Sequence, residues 1–327
     1  MKTFSEMQAS PAAALQRYSL SGETMGTRYT AMFFAAVGVD TAAIGAGLFG
    51  AVDRVDRQMS TWKPDSDLNR LNRAPEQQWQ DLPGELISVL TAALRVGQQS
   101  GGAFDVNVGS LVNAWGFGAG GQAPNGALIA ALEKHPHSRV CELLEIDSPN
   151  NRVRKRAAIT LDLSGIAKGY GVDELARCLD AFGVERYLVG IDGEMRARGL
   201  KTDGRAWAVA VEKPVRGVRE VMGVMEITDT AIATSGDYRH SVVLNGEHHA
   251  HTMNPALGGP ARNRLAAVTV LASSCMLADA WATALLVLGE EAGVELAQTR
   301  GMDALFVLRD GEGFQEISIE QGRRQPS

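Results

Sequence analysis

The chain is short of three things, and each shortage removes a class of protein. Cysteine is scarce: Cys141, Cys178 and Cys275 are the only three in 327 residues, odd in number, far apart and without a CxxC pair. No disulfide framework can be built from them, which suits a reducing compartment and leaves three ordinary small apolar side chains. Positive charge is not in excess either. Lys+Arg number 32 against 38 Asp+Glu, a formal net charge of −6, so there is no broad basic face to neutralise a nucleic-acid backbone. A small phosphorylated ligand held by local groups stays open. Long apolar runs are also missing: the longest, Ala31–Val39, is about half of what a membrane span requires. Residues Met1 to Tyr18 hold no basic stretch leading into an apolar run and no lipidation cysteine. These features predict a soluble, cytoplasmic protein with no membrane span, although an exported chain trimmed of its leader would read the same way.

What is present is enough apolar material for a large core, with 45% of residues hydrophobic and 21% charged. That length allows one large domain or two ordinary ones. No repeat or low-complexity linker divides the sequence, so the expectation is a polar leader over 1–20 and one continuous unit over 21–327. Thr27–Ala35 reads as a strand. Ile44, Leu48, Val52, Val55 and Met59 recur at helical spacing behind Asp40 as N-cap. Pro83 suits the start of a second helix carrying Leu86, Val89, Leu90, Ala93 and Leu94. Thr61–Leu71 between them reads as a loop, and glycine-rich Ser100–Gly121 as an irregular segment. Strands are expected at Leu143–Ile146, Val153–Leu163, Arg186–Ile191, Trp207–Glu212, Val221–Ile227 and Leu265–Ala272, and a closing hairpin at Ala304–Leu308 and Phe314–Ile319. Helices are expected at Lys168–Phe182 and at Cys275–Leu288, the latter stopped by Gly289. This irregular alternation predicts an α+β fold with largely antiparallel sheet packed with helices.

Four segments hold residues suited to chemistry. Asp162-Leu163-Ser164-Gly165-Ile166-Ala167-Lys168-Gly169 runs from a strand through a glycine turn into a helix. Backbone can approach a ligand closely there, and a helix N-terminus favours anions. A plain strand–helix junction with a solvated Lys168 fits the segment equally well. Asp279 and Thr283 lie four apart on an otherwise apolar helix, so both oxygens share one face. The pair suits a hard cation completed by a carbonyl and phosphate oxygens, and it also suits a cap with a Thr bonded back to its own helix. His248, His249 and His251 crowd one stretch before Met253-Asn254-Pro255. No ligand spacing for zinc accompanies them; one could act as a general base, while surface positions suit His248 and His249. Ala231–Arg239 offers small and hydroxyl residues beside a ligand, or simply a Ser/Gly turn.

Taken in order, these segments resemble the FAD:protein FMN transferase (ApbE) family. The likeness begins at Thr24-Met25-Gly26-Thr27 and includes Ser60-Thr61-Trp62 with Ser66 and Asn69. It continues through Gly101-Gly102-Ala103-Phe104-Asp105-Val106-Asn107-Val108-Gly109, Trp115-Gly116-Phe117-Gly118, Asp162–Asp173, Ala233-Thr234-Ser235-Gly236, His251–Pro255 and Ala278-Asp279 with Thr283. The resemblance implies FAD as substrate, contacted by Met25, Trp62, Ala103, Phe104, Asp105, Asp162, Lys168 and Met253. It implies Mg²⁺ held by the Gly165 carbonyl, Asp279 and Thr283, with His251 as the base that deprotonates an acceptor hydroxyl. The implied partner is a flavoprotein whose Ser/Thr-containing motif receives FMN while AMP departs. Hydrolysis of FAD by water, or FAD binding without chemistry, are the rival readings. Two departures from the family pattern stand out: Asn254 where an Asp is usual, and Asp192-Gly193-Glu194 in place of Gly-Gly-Asp.

Overall fold

The computed structural model describes residues 14–134, 137–238, 241–244, 246–311 and 313–326. Its frame is a nine-stranded sheet in which every neighbouring pair is antiparallel. We number only its strands: β1 (Leu15–Thr24), β2 (Thr27–Ala36), β3 (Tyr187–Ile191), β4 (Glu194–Arg198), β5 (Ala231–Gly236), β6 (Leu265–Ala272), β7 (Asp303–Asp310), β8 (Gly313–Glu320) and β9 (Arg323–Arg324). They lie side by side in that order. Four long helices, α1 (Thr41–Met59), α2 (Gly84–Gln99), α3 (Ala167–Ala181) and α4 (Cys275–Thr299), complete the frame of this α+β fold.

Alternation along the strands sorts side chains to two faces. From β2, Tyr29, Ala31, Phe33 and Ala35 pack with Ile44, Leu48 and Val52 of α1 and Val172, Leu175 and Leu179 of α3. Met32 and Phe34 point the other way, to a hairpin formed by Trp207–Glu212 and Val221–Ile227 that covers the opposite face. The larger core joins α2 and α4 to Leu161, Leu163, Val268 and Phe306. Each of these fully buried side chains contributes roughly 2 kcal/mol of apolar burial.

Several elements differ from the sequence expectation. Leu15–Thr24, whose first residues fall in the expected polar leader, is a strand paired with β2 over its whole length; residues 1–13 lie outside the described ones. Leu15, Tyr18 and Leu20 are the only apolar residues of any size in that strand, which hides it, because one face stays open to water. Thr61–Leu71 is not all loop. Ser66 accepts from the Asn69 N–H and starts a short helix, Asp67–Arg73, that buries Leu68 and Leu71. A six-residue helix, Gly109–Ala114, sits within the glycine-rich segment. The strand expected over Val153–Leu163 ends at Lys155, the rest being irregular. Gly289, read as a stop, is a break within α4, where φ is +83° and the helix resumes beyond it. The carbonyls of Leu286 and Val287, just ahead of that break, accept from the amides of Asn263 (2.8 Å) and Asn254 (3.5 Å).

Candidate active site

Three chain reversals bring the candidate residues to one end of α3 and α4. Met25 and Gly26, both at positive φ (47° and 72°), turn β1 into β2. Such a turn matches the twist of its strands only with left-handed central residues. Met25 is half-buried, and its Cε would stand 3.1 Å from a Cβ on Gly171 of α3. The second reversal, after Asp162, opens α3. Asp162 is buried and accepts the Ser164 N–H at 2.8 Å. Gly165 then passes so close to α4 that a Cβ there would lie 3.1 Å from Thr283 Oγ1 and 3.3 Å from Phe104 Cε2. Phe104, Gly165 and Thr283 are therefore in one place, and Ser235 of β5 joins them with its hydroxyl 2.9 Å from that of Thr283.

Asp279, one turn before Thr283, is buried and accepts the Gly169 N–H at 3.0 Å. Lys168 beside it gives its ammonium to Glu194 Oε1 at 2.7 Å, with Asp192 at 3.9 Å. Burial pushes the Asp279 carboxyl up to about 7, and the neighbouring Glu194 carboxylate pushes in the same direction against the pull of Lys168 and the Gly169 N–H. Lys168 itself is raised: its carboxylate neighbours, Glu194 first, outweigh the burial that would lower it. The second oxygen of Glu194 is buried with no hydrogen-bond partner among the described residues. Two buried carboxylates thus share one ammonium, an arrangement that one more cation would balance. A carboxylate, a hydroxyl and a nearby carbonyl are hard oxygen donors, and they fit a small divalent ion that keeps water or substrate oxygens. Among the described residues, no three His, Cys, Asp or Glu side chains gather as a ligand set, so backbone, hydroxyl and substrate would complete the shell.

The third reversal, Asp192-Gly193 between β3 and β4, explains a departure from the family pattern. Asp192 has φ of +55°, a conformation that costs a side-chain-bearing residue about 1 kcal/mol and glycine nothing. Asp192→Gly is expected to raise the melting temperature by about 2 °C in thermal denaturation. The substitution also removes the 3.9 Å contact of the Asp192 carboxylate with Lys168, whose shorter partner is Glu194 at 2.7 Å. An unchanged or lower value would mean that the contact with Lys168 outweighs the strain.

Other expected residues are placed differently. Asp105 is buried, but Oδ1 accepts the Asn107 N–H (2.8 Å), Oδ2 accepts the Val140 N–H (3.0 Å), and His137 Nε2 is 3.2 Å from Oδ2. It ties the glycine-rich segment to residues 137–140. Ala103 is half-buried beside it. Trp62 lies on the α1 side, 64% exposed, on a groove with Arg54, Arg57, Lys63 and Arg70. Met253 is buried with Leu111, Trp115 and Ile129. His251 is half-buried, its ring edge-on to Phe117 at 6.2 Å, whereas His249 packs on Trp115 at 4.8 Å and His248 is exposed. Asn254 Oδ1 caps a short turn by accepting from Ala256 and Leu257. Its amide faces the Val287 carbonyl, a bond that an ionised Asp could not donate. Arg239 lies outside the described residues. Glu194 and Asp173 fall within segments compared with the family pattern, but nothing in the sequence shows what they hold, because their partners Lys168, Cys275 and Met276 come from other elements.

The chain also matches a known family. Residues 25–306 fit the model of the ApbE family. The chain belongs to the ApbE family. Over 305 residues it is 37% identical to the FAD:protein FMN transferase of Vibrio cholerae, covering 93% of this chain and 91% of that one. The Klebsiella pneumoniae protein of that name is 34% identical over 321 residues, covering 96% of this chain and 90% of its own. Among solved structures, the ApbE flavinyl transferase of Pseudomonas stutzeri in its apo form superposes with a TM-score of 0.83 at 35% identity, over 94% of this chain and 96% of that one. The family model thus spans the frame from the β1–β2 turn to β7, and the relatives and structure cover nearly the whole chain.

Proposed function

We propose that this chain is a Mg²⁺-dependent FAD:protein FMN transferase. It splits FAD between its phosphates, joins FMN through a phosphoester bond to a Ser or Thr hydroxyl of a partner flavoprotein, and releases AMP. The observation that carries the reading is the near-complete coverage, at 37% identity, of a relative bearing that name. The buried acidic cluster around Asp279 supports it chemically.

The Gly165 carbonyl, the Asp279 carboxylate and the Thr283 hydroxyl are the groups that would hold Mg²⁺. Once bound, the ion neutralises charge on the pyrophosphate and on the departing AMP. The chain's own side chains do the rest. Lys168, held by Glu194, adds a fixed positive charge beside the phosphates. Met25, Trp62, Ala103, Phe104, Asp105, Asp162 and Met253 belong to the FAD pocket in this reading; Phe104 and Met253 contribute apolar walls, and Asp105 and Asp162 hold the loops that form it. His251 takes the proton from the acceptor hydroxyl, whose oxygen bonds to the FMN phosphorus as the bridging P–O bond to AMP breaks.

FAD, Mg²⁺ and an acceptor carrying a Ser/Thr-Gly-Ala-Ser/Thr motif should yield a band that keeps flavin fluorescence after denaturing electrophoresis. Free FMN without a labelled band would replace the transferase with a pyrophosphatase, and intact FAD would leave a binding protein.

A further inference from the structure

The two helices that carry the cation-site residues are locked together by a second carboxylate that the proposed chemistry does not use. Asp173 of α3 is 2% exposed. Its Oδ1 accepts the Cys275 N–H and its Oδ2 the Met276 N–H, both at 3.0 Å. Ser274 accepts the Leu277 N–H at 3.3 Å. Three of the N–H groups that a helix start leaves without partners are thereby satisfied, two of them by a residue about a hundred positions earlier. Arg196 of β4 also donates to Asp173 Oδ1.

A return contact runs the other way. Asp279, one turn into α4, accepts the N–H of Gly169, one turn before Asp173 on α3. The approach is close enough that a Cβ on Gly169 would fall 2.3 Å from the Cys275 carbonyl oxygen, so only glycine fits. The helices are therefore tied twice, by a carboxylate of each reaching backbone N–H groups of the other. Strand β4 braces the same pair. Glu194 and Arg196, two apart and so on one face, hold Lys168 and Asp173 respectively. Rotation of α4 about its axis is what sets Thr283 against Gly165 and Asp279 against Gly169. The Asp173 bonds fix that rotation at its first turn.

We propose that Asp173 is a positioning residue for the divalent-cation site, acting through the first turn of α4 on the placement of Asp279 and Thr283. This rests on the reading that Gly165, Asp279 and Thr283 hold the cation. Asp173→Asn keeps the size but turns one acceptor into a donor facing a backbone N–H, so the start of α4 must shift.

The test is Mn²⁺ binding to the full chain in excess FAD, read by the EPR signal of free Mn²⁺, alongside circular dichroism and thermal denaturation. Asp173→Asn should remain folded, keep FAD binding and bind Mn²⁺ at least tenfold more weakly. Arg196→Gln, a milder change should the first variant not fold, should weaken binding severalfold. Ile227→Ala, a cavity under the hairpin that covers the opposite face of the sheet, supplies a destabilised control and should leave Mn²⁺ affinity within twofold. Unchanged affinity in Asp173→Asn or Arg196→Gln, or an equal loss in Ile227→Ala, overturns the proposal. Asp279→Ala separates it from its premise. If that variant binds Mn²⁺ like the wild type, the cation reading itself falls. If it has lost binding while Asp173→Asn has not, only the positioning role fails.

Discussion

Asp279→Asn should lower flavin transfer about a thousandfold at any Mg²⁺ concentration, an effect of about 4 kcal/mol on the barrier. Asparagine still has an oxygen to accept the Gly169 N–H, so the helix contact survives and the charge alone is removed. The same variant checks the electrostatics without substrate. In the cation-free protein burial raises the Asp279 carboxyl to about 7, above its ordinary value near 4. A group raised on folding stabilises the fold in its protonated form. That contribution is complete below about pH 4 and is lost as the pH climbs through about 7. The cation-free wild type should therefore melt at a lower temperature at pH 8 than at pH 6. Mg²⁺ binds the ionised carboxylate and must displace the proton below that range, so its stabilising effect should be larger at pH 8. Asp279→Asn should show neither the slope nor the Mg²⁺ response. Thermal denaturation at both pH values, with and without Mg²⁺, reads all of this. A variant that transfers flavin normally would remove Asp279 from the cation site.

The features legible in the sequence were those with a local physical cause. Helical spacing and Asp40 gave α1 to within a few residues, and Asp40 does accept the Ala43 N–H. Leu265–Ala272 was plain because it is a short apolar run broken only by Thr269, and most of it is buried. The ordered motifs pointed to the family and so to an α+β frame. Strand β1 was hidden because an edge strand with one face in water needs few apolar residues. Register and long-range pairing were also out of reach. Nothing near Glu194 reveals that it holds Lys168, and nothing near Asp173 reveals that it caps a helix beginning at Cys275. The two departures acquire different meanings once placed. Asn254 is a cap and an amide donor to the Val287 carbonyl, a structural task. Asp192-Gly193-Glu194 alters the candidate site itself, by adding a left-handed Asp and by reaching Lys168 with a longer acid.

His251→Ala should reduce transfer by about a hundredfold to ten-thousandfold, the range expected for loss of a positioned general base, while FAD binding stays within a few-fold. The residue follows the strand Glu247–Ala250 and precedes the short strand Met253–Asn254. It is thus fixed between a hairpin seated on the Trp115–Phe117 segment and a segment bonded to α4 through Asn254. His249→Ala is the matched control: its ring packs on Trp115, so it should cost stability more than rate. A pH profile distinguishes a base from a pocket wall. Wild-type transfer should rise with pH as the base loses its proton, and His251→Ala should lose that rise. Asp279 also titrates, at about 7, but its effect works through cation binding and disappears once Mg²⁺ is saturating at each pH. Measured under saturation, a rise that persists in His251→Ala would assign the proton transfer to another group. Lost FAD binding in that variant would instead make His251 part of the pocket, leaving the acceptor hydroxyl to be activated by the cation site alone.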